Sequence, residues 1–446
     1  MSYNDAPLRV TVIGIGYLGL THAVCMADLG HQVLAIDVDE DKVARAARGE
    51  TPFFEPGLEP LLRKNLDTGR LRFTTDFAEV GEFGDVHFVC VGTPQRPGST
   101  AADLTYVQAA FGSLAPHLHR ETLIVGKSTV PVGTTRALVS SVHSLAPAGS
   151  GADIAFNPEF LREGFAVQDS LTPDRLVFGV RSDRAQALLR QVYATPLSSG
   201  IPALTMDLET AELVKVAANA FLATKISFIN VMAEVCEAAG GDVSKLAAAI
   251  GHDERIGRKF LSAGLGFGGG CLPKDIRAFR TTAGELGVDS LVDLLTTVDT
   301  INLGRRERVM TLAREAIGGD VTGKRIAVLG IAFKPNSDDI RDSPSLDICR
   351  RLADAGAVVS VHDPVAMGNA ARNHPDLRYA DSAAEAAESA DVVLHLTEWS
   401  DYRAIDPAAL RNVVRAPVLV DGRATLDATA WRSAGWTVLV PGRSHP

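Results

Sequence analysis

The sequence predicts an α/β protein in which two doubly wound parallel-sheet domains are joined by a central all-helical region. Short apolar runs rich in Val, Ile and Phe alternate with helical patterns in the first and last parts of the chain, which is typical of parallel sheets covered by helices on both faces. The part between them has almost no strand signal. At 446 residues, 46% of them hydrophobic, the chain is long enough for two or three globular domains.

The first sheet domain is predicted at residues 1–204 and the second at residues 315–446. The strand candidates of the first are LRVTVIG, QVLAID, DVHFVCVGTP, ETLIVGKST and ADIAFNPEF, and those of the second are RIAVLGIAF, AVVSVHD, ADVVLHLT, APVLVDGR and WTVLV. The second domain repeats the plan of the first but lacks a glycine fingerprint. We therefore expect it to hold its ligand differently.

The central region is predicted at residues 205–314, and its residues 206–239 form one long helical pattern that is apolar on more than one face. A helix that is apolar nearly all round is normally buried. We interpret this helix as a spine between the two sheet domains and as a contact between the subunits of a homodimer.

The composition favours a soluble cytoplasmic protein with no nucleic-acid partner, no membrane span and no metal site. A net charge of −10 leaves no basic surface for a phosphate backbone. Five widely spaced cysteines argue against a disulfide framework, and the N-terminus lacks the pattern of a signal peptide. The histidines show no metal-ligand spacing, so His117 and His119 are interpreted as surface residues. The longest apolar stretch, residues 213–235, is interrupted by Lys215, Asn219, Lys225, Asn230 and Glu234.

A glycine motif after the first strand predicts a dinucleotide site. Gly14, Gly16 and Gly19 have the order G-x-G-x-x-G, and a helical pattern and a second strand that ends at Asp37 follow them. The glycines permit a tight turn, a close approach to a pyrophosphate and close helix packing, and the helix N-terminus faces the phosphates. Asp37 comes 23 positions after Gly14, where a carboxylate meets the ribose diol and repels a 2′-phosphate. The motif predicts a Rossmann-like domain that prefers NAD to NADP.

Two further strand ends, residues 91–94 and residues 127–129, lie at the same predicted edge of this sheet. Ligands of open sheets bind at the carboxyl ends of strands, so both loops are candidate cofactor or substrate contacts. On composition alone they are equally compatible with a turn and a helix cap.

Cys271 is the candidate reactive residue. It follows a run of glycines and precedes Lys274 in GLGFGGGCLPKD, residues 264–275, whereas the other four cysteines lie in apolar segments that are typical of inert buried thiols. A glycine-rich backbone gives a ligand close access, and the nearby lysine favours the nucleophilic thiolate. These features favour a catalytic cysteine over a packing residue.

With these motifs the chain resembles the UDP-glucose/GDP-mannose dehydrogenase family. Within that family it resembles the branch that acts on UDP-glucose more than the other branches. The matching segments cover nearly the whole chain: GIGYLG, PFFEPGL, VGTP, KSTVPVGT, NPEFLREG, ELVKVAANAFLATKISFIN, RIGRKF, GFGGGCLPKD, FKPNSDDIRDSPS and DGR. The resemblance implies two Rossmann-like lobes joined by a helical dimerisation region, in agreement with the hydrophobic patterns.

The resemblance also implies a four-electron oxidation of UDP-glucose to UDP-glucuronate with two NAD. Cys271 captures the intermediate aldehyde as a thiohemiacetal, which is oxidised to a thioester and hydrolysed. Glu159 is the implied acid/base that handles the water with Thr129. Lys215 and Asn219, four apart on one helix face, hold the reacting C6 oxygen and stabilise its negative charge. Asp275 supports water or the lysine.

The binding residues implied by the resemblance fall into two sets. The cofactor set adds to the glycines and Asp37 the residues Tyr17, Leu18, Lys42, Gly92, Thr93, Pro94, Thr129, Glu163, Lys274 and Arg341. The substrate set comprises Phe160, Leu161, Arg162, Glu163, Lys215, Asn219, Arg255, Phe260, Ser262, Gly264, Gly266, Phe267, Gly268, Phe333, Lys334 and Arg423. Arg255 is expected to reach the substrate of the neighbouring subunit. Some relatives carry a lysine where this chain has Ser262, which puts that contact in doubt.

Three alternatives stay open at this stage. A two-electron hydroxyacid dehydrogenase also joins a Rossmann lobe to helices that bear Lys and Asn four apart, but it leaves Cys271 and the third domain without a role. A non-catalytic sensor of NAD or nucleotide sugars is less consistent with the retained Cys271, Lys215 and Glu159. Within the enzyme interpretation, TDP-glucose or GDP-mannose could replace UDP-glucose.

Overall fold

In the computed structural model, which describes residues 6–443, the chain forms two compact units, Met1–Ala218 and Asn219–Pro446. We call them the first and second unit. The first contains an eight-stranded sheet in the order β3-β2-β1-β4-β5-β6-β7-β8. Its strands are β1 (Arg9–Ile13), β2 (Gln32–Ile36), β3 (Leu71–Thr74), β4 (Val86–Val89), β5 (Thr122–Gly126), β6 (Ala152–Phe156), β7 (Leu176–Gly179) and β8 (Ala203–Met206).

Helices cover both faces of this sheet. They are α1 (Tyr17–Asp28), α2 (Glu40–Ala47), α3 (Leu58–Asp67), α4 (Phe77–Phe83), α5 (Thr105–Leu114), α6 (Thr134–Leu145), α7 (Ala166–Leu171), α8 (Asp183–Val192) and α9 (Ala194–Ser198). Alternate residues of one strand enter different cores: Val33 and Ala35 pack into one, whereas Leu34 and Ile36 pack into the other. This alternation confirms the doubly wound α/β fold that the apolar runs predicted.

The second unit carries a parallel six-stranded sheet in the order β11-β10-β9-β12-β13-β14. Its strands are β9 (Arg325–Leu329), β10 (Val358–His362), β11 (Arg378–Tyr379), β12 (Val392–His395), β13 (Val418–Asp421) and β14 (Thr437–Leu439). Its helices are α11 (Val243–Gly251), α12 (Leu272–Glu285), α13 (Asp289–Ala316), α14 (Pro344–Asp354), α15 (Met367–Asn373), α16 (Ala383–Ala386), α17 (Ser400–Arg403), α18 (Pro407–Arg411) and α19 (Ala428–Ser433).

All ten predicted strands form, but four further strands, β3, β7, β8 and β11, were missed. The first sheet also departs from the all-parallel prediction, because β6 and β7 pair antiparallel through Phe156 and Gly179. β3 and β11 are edge strands of four and two residues, and such short strands carry little apolar pattern.

The long central helix α10 spans Leu208–Ala239, two residues shorter at its start than predicted because Met206 ends β8. By length and hydropathy α10 could cross a membrane. Its polar side chains argue instead for a core helix: Glu212 accepts hydrogen bonds from the N–H groups of Gly133 and Thr135, and Asn230 accepts one from the N–H of Gly264.

Candidate functional site

The glycine loop after β1 has the backbone geometry that a pyrophosphate site needs. Gly14 has a φ of +91°, and a Cβ on Gly19 would lie 1.7 Å from the Gly14 carbonyl oxygen, so both positions require glycine. A Cβ on Gly16 would meet nothing within 4 Å, which leaves the backbone open to a ligand. α1 begins at Tyr17, and within the described residues no side chain caps its N-terminus and no acidic residue lies in its first turn. Its N–H groups and dipole therefore favour a bound anion.

Asp37 follows β2 and is fixed beside this loop. Its Oδ2 accepts the N–H of Ile15 at 2.9 Å and its Oδ1 accepts the N–H of Asp39 at 3.0 Å. The predicted contact Lys42 lies in the first turn of α2, where its ammonium is 3.4 Å from Asp39. The open loop, the uncapped helix and the fixed carboxylate fit the pyrophosphate and ribose of NAD.

The other two strand-end loops of the first unit meet each other. The Ser128 hydroxyl, after β5, donates to the carbonyl oxygen of Val91, after β4, at 2.6 Å. Because β4 and β5 are parallel neighbours, the loop of Gly92, Thr93 and Pro94 and the loop of Thr129 both lie at the carboxyl edge of the sheet.

Lys127 of the same loop is enclosed in the core and does not line the ligand-facing edge. Its ammonium donates to Asn157 Oδ1 at 2.9 Å and to the Tyr193 hydroxyl at 3.3 Å, and it lies near the faces of the Phe88 and Tyr193 rings. Burial lowers the pKa of Lys127 to about 8, because the charged form loses its hydration. The motif pattern contained no signal for this buried ammonium.

Two predicted catalytic residues of the first unit form an ion pair. Lys215 Nζ lies 2.8 Å from Glu159 Oε1, and the two side chains are only 5% and 11% exposed. The other oxygen, Oε2, accepts the N–H of Leu161 at 2.7 Å. The Phe160 ring lies 5.7 Å from Lys215 Nζ and 3.9 Å from the Arg175 guanidinium carbon. Lys215, Glu159 and Phe160 thus form one partly buried cluster.

A buried carboxylate that sequence reasoning missed holds this loop to the cofactor loop. Glu55 accepts hydrogen bonds from the Tyr17 hydroxyl and from the N–H groups of Gly164 and Ala166, the last two at 2.6 and 2.7 Å. Burial and the hydrogen bond to Glu55 raise the pKa of Tyr17 far above its usual value. The motif PFFEPGL was the available signal, since it places one acid among apolar and turn residues.

The remaining predicted contacts of the first unit, in the loop after β6 and in α1, differ in exposure. Glu163 is buried, whereas the Arg162 side chain is 53% exposed and forms a 2.7 Å ion pair with Asp169. Leu18 is half-buried in α1. Arg162 is therefore already engaged in a surface ion pair.

In the second unit, Cys271 is exposed and immediately precedes α12. The other four cysteines are buried, as predicted. Pro273 lies within the first turn of α12, where the missing N–H costs nothing. A residue at this position lies at the end of the helix where the dipole is positive, an environment that favours a thiolate.

The loop that leads to Cys271 is held through its backbone. Asn302 Oδ1 accepts the N–H of Phe267 at 2.7 Å, and its amide donates to the Phe267 carbonyl at 3.0 Å. A Cβ on Gly266 would lie 2.4 Å from Asn302 Oδ1, and one on Gly264 would lie 2.9 Å from the Gly422 carbonyl oxygen. Close packing therefore requires glycine at both positions.

Arg423 brings several predicted substrate residues together. Its guanidinium donates to the carbonyl oxygens of Leu396, Gly266 and Phe333 at 2.7, 3.3 and 3.1 Å. Gly268 and Lys334 belong to the same two loops, which Arg423 connects. The same guanidinium also forms an ion pair with Glu398, whose Oε2 lies 3.2 Å from Nε.

Asn219, Asp275 and Lys274 form a second polar cluster in this unit. Asp275 is 2% exposed; its Oδ2 accepts the Asn219 amide at 2.7 Å, and its Oδ1 lies 2.8 Å from Lys274 Nζ. The acid that was expected to support water or Lys215 therefore orients Asn219 and Lys274.

Arg255, Phe260 and Ser262 lie on an exposed or half-exposed segment. The Arg255 side chain is 89% exposed and pairs with Asp253 at 2.6 Å. Phe260 has a φ of +64°, in the left-handed region. Arg341 is also largely exposed and pairs with Asp339 at 2.6 Å.

The second sheet lacks a counterpart of the Asp37 site. Asp363, which follows β10, is fully buried, and it accepts N–H groups from Ile331, Ala332, Val365 and Ala366. Because this buried carboxylate already accepts four hydrogen bonds from nearby backbone N–H groups, it is not accessible to the hydroxyl groups of a ribose. Among residues 6–443 no cluster of three His, Cys, Asp or Glu side chains could hold a metal ion.

Three family models match the chain in order. They are the NAD binding domain of the UDP-glucose/GDP-mannose dehydrogenase family at residues 8–197, its central domain at 209–303 and its UDP binding domain at 327–428. The chain belongs to the UDP-glucose/GDP-mannose dehydrogenase family. It is therefore an NAD-dependent oxidoreductase, and the dinucleotide prediction is confirmed.

Similar relatives cover nearly the whole length of the chain. A UDP-glucose 6-dehydrogenase of Rhizobium meliloti (strain 1021) is 44% identical over 418 residues, 93% of this chain and 95% of that protein. The structure of a UDP-glucose dehydrogenase from Pyrobaculum islandicum is 37% identical, with a TM-score of 0.91 and 99% of both chains covered. The structure of a UDP-D-ManNAc dehydrogenase from Pyrococcus horikoshii is 25% identical, with a TM-score of 0.85 and 98% and 99% of the two chains covered.

Proposed function

We propose that the protein oxidises C6 of UDP-glucose to the carboxylate of UDP-glucuronate through a thioester on Cys271. The observation that carries the proposal is the exposed thiol directly before α12, after a loop whose glycines are needed by packing. A nucleophile is needed only when an aldehyde must be retained and oxidised again. A two-electron dehydrogenase has no use for it.

The first oxidation requires a base for the C6 hydroxyl proton and a donor for the C6 oxygen. Lys215 and Glu159 form such a pair: the Glu159 carboxylate accepts the hydroxyl proton, which passes on to solvent, while the Lys215 ammonium donates to the C6 oxygen in a site with little water. NAD, when bound at the glycine loop, accepts the hydride of each oxidation. Asn219 adds a second donor: one amide hydrogen is bound by Asp275, which leaves the other for the C6 oxygen.

Cys271 then adds to the aldehyde, and the thiohemiacetal is oxidised to a thioester. The helix N-terminus favours the thiolate that this addition needs. In the last step, Glu159 removes a proton from the water that hydrolyses the thioester, with Thr129 assisting. The N–H of Leu161 keeps Glu159 in place for this task.

We further infer that Arg423 positions the sugar nucleotide by connecting the loops of Gly266 and Phe333. The predicted substrate contacts Gly264, Phe267, Gly268 and Lys334 belong to these loops. We also propose that the protein is cytoplasmic and that it consists of three domains, residues 1–204, 205–314 and 315–446.

The exposed face of α10 supports a homodimer. Phe221, Phe228 and Val235 are 66, 50 and 52% exposed and recur every seven residues, so they share one helix face. Lys225 lies on this face, and its ammonium donates to the Ile256 carbonyl at 2.8 Å. Arg255 is thus held beside the apolar face, from which it is proposed to reach the substrate of the neighbouring subunit.

The test is an NADH-release assay on UDP-glucose, TDP-glucose, GDP-mannose and UDP-D-ManNAc. UDP-glucose should give the highest kcat/KM, and two NADH should form per uronate. A ratio of one NADH per product would contradict the thioester route. A preference for another sugar nucleotide would replace UDP-glucose as the proposed substrate but would not contradict the proposed thioester mechanism.

A further inference from the structure

The loop of residues 341–344 lies against the glycines before Cys271. The N–H of Gly269 donates to the Arg341 carbonyl oxygen at 3.0 Å. A Cβ on Gly268 would lie 2.4 Å from the Asp342 carbonyl oxygen, and one on Gly270 would lie 2.4 Å from the Arg341 guanidinium carbon. The two segments therefore touch through backbone atoms at Gly268 and Gly269 and through the Arg341 side chain at Gly270.

Asp342 holds this loop in a conformation that is unfavourable by itself. Its φ of +47° lies in the left-handed region, which residues other than glycine adopt uncommonly. Two arginines compensate: Arg277 donates to Oδ2 and Arg306 donates to Oδ1, both at 2.8 Å. Arg277 is held in turn by Asp299 at 3.0 and 3.2 Å. The four side chains are between 8 and 24% exposed, so solvent screens the network weakly.

Arg277 also connects this network to Cys271, from the side that follows Cys271 in the chain. It lies in α12, six residues after Cys271 and about 9 Å along the helix axis. Asp342 thus contacts both sides of Cys271: its backbone contacts the preceding glycines, and its carboxylate holds the following helix.

We propose that Asp342 is a positioning residue that fixes Cys271 at the N-terminus of α12 for the addition to the aldehyde. The inference rests on the function proposed above. A displacement of about 1 Å in a reacting group can cost about 100-fold in rate, so a residue that binds no ligand can control turnover.

The test compares Asp342→Asn with Asp347→Asn in the full-length protein. Asparagine tolerates the left-handed region but lacks the charge that holds both arginines. Asp347 is the matched control, because its carboxylate is 3.3 Å from the same Arg306 but belongs to α14 and leaves the loop of residues 341–344 untouched. Asp342→Gly is the second variant: it adopts a positive φ without strain and removes both arginine contacts.

The readouts are kcat, the KM for NAD and the rate at which iodoacetamide alkylates Cys271, measured by peptide mass spectrometry with the four buried cysteines as references. Both Asp342 variants should lower kcat about tenfold or more and slow alkylation about threefold or more, with the KM for NAD within about twofold. Asp347→Asn should match the wild type.

Two results would overturn the proposal: unchanged alkylation and kcat in both Asp342 variants, or equal losses in Asp347→Asn. If the wild type oxidised no nucleotide sugar, the proposed function would fail by itself. The alkylation comparison would still decide whether Asp342 positions the thiol.

Discussion

Replacing the buried Lys127 by Met should stabilise the protein at neutral pH. Burial lowers the pKa of Lys127 from 10.5 to about 8, which corresponds to a destabilisation on the order of 3 kcal/mol while the folded protein keeps the ammonium charged. Methionine fills the space of the lysine stem. Asn157 Oδ1 loses Lys127 but keeps the Tyr193 hydroxyl at 2.6 Å, whereas the Tyr193 oxygen loses only its long 3.3 Å donor.

We expect a net gain of about 1–3 kcal/mol, since the contacts of the ammonium with Tyr193 and Phe88 are lost. For a unit of this size, each kcal/mol raises the Tm by about 2–4 °C. Below pH 8 the folded Lys127 is charged and the penalty is fully present. As the pH rises from about 8 to 10.5 the unfolded chain also loses its proton, so the advantage of the variant disappears.

Differential scanning calorimetry at neutral pH and above pH 10.5 measures this difference. Lys64→Met is the control, because Lys64 is 57% exposed and its ion pair with Asp28 is worth little. A lower Tm at neutral pH, or a gain of equal size at both pH values, would refute the reasoning. The same variant should lower kcat, because the charge of Lys127 acts on Glu159 and Lys215.

Three further predictions concern the cofactor, the chemistry and the assembly. Asp37→Ser should reduce the preference for NAD over NADP by about tenfold, measured as a ratio of kcat/KM values; an unchanged ratio would exclude Asp37 as the determinant. Cys271→Ser should release no uronate, whereas Glu159→Gln should accumulate a sugar-nucleotide adduct visible by intact mass, since its thioester is hydrolysed slowly. Wild-type uronate release by Cys271→Ser would contradict the thioester. Phe228→Glu should sediment as an inactive monomer, and an active dimer would disprove the role of the α10 face.

The strands and the cofactor loop could be predicted because their signals are local. Each of ten apolar runs was long enough to predict a strand. The spacing of the three glycines predicts a turn whose conformation depends on few residues outside the motif. The short strands β3 and β11 were missed because four and two residues at a sheet edge need few apolar side chains.

Local patterns were sufficient to predict the fold class, the glycine loop and Cys271 as the candidate nucleophile, because hydrophobic period and glycine spacing act over a few residues. Which polar groups meet depends on the folded chain. Lys215 pairs with Glu159, and Asp342 meets Arg277 across 65 positions. Such pairs depend on which loops the packed sheets and helices bring together. A residue type in one segment cannot specify its partner in another, so the contacts of Asp342 could not be predicted from the sequence.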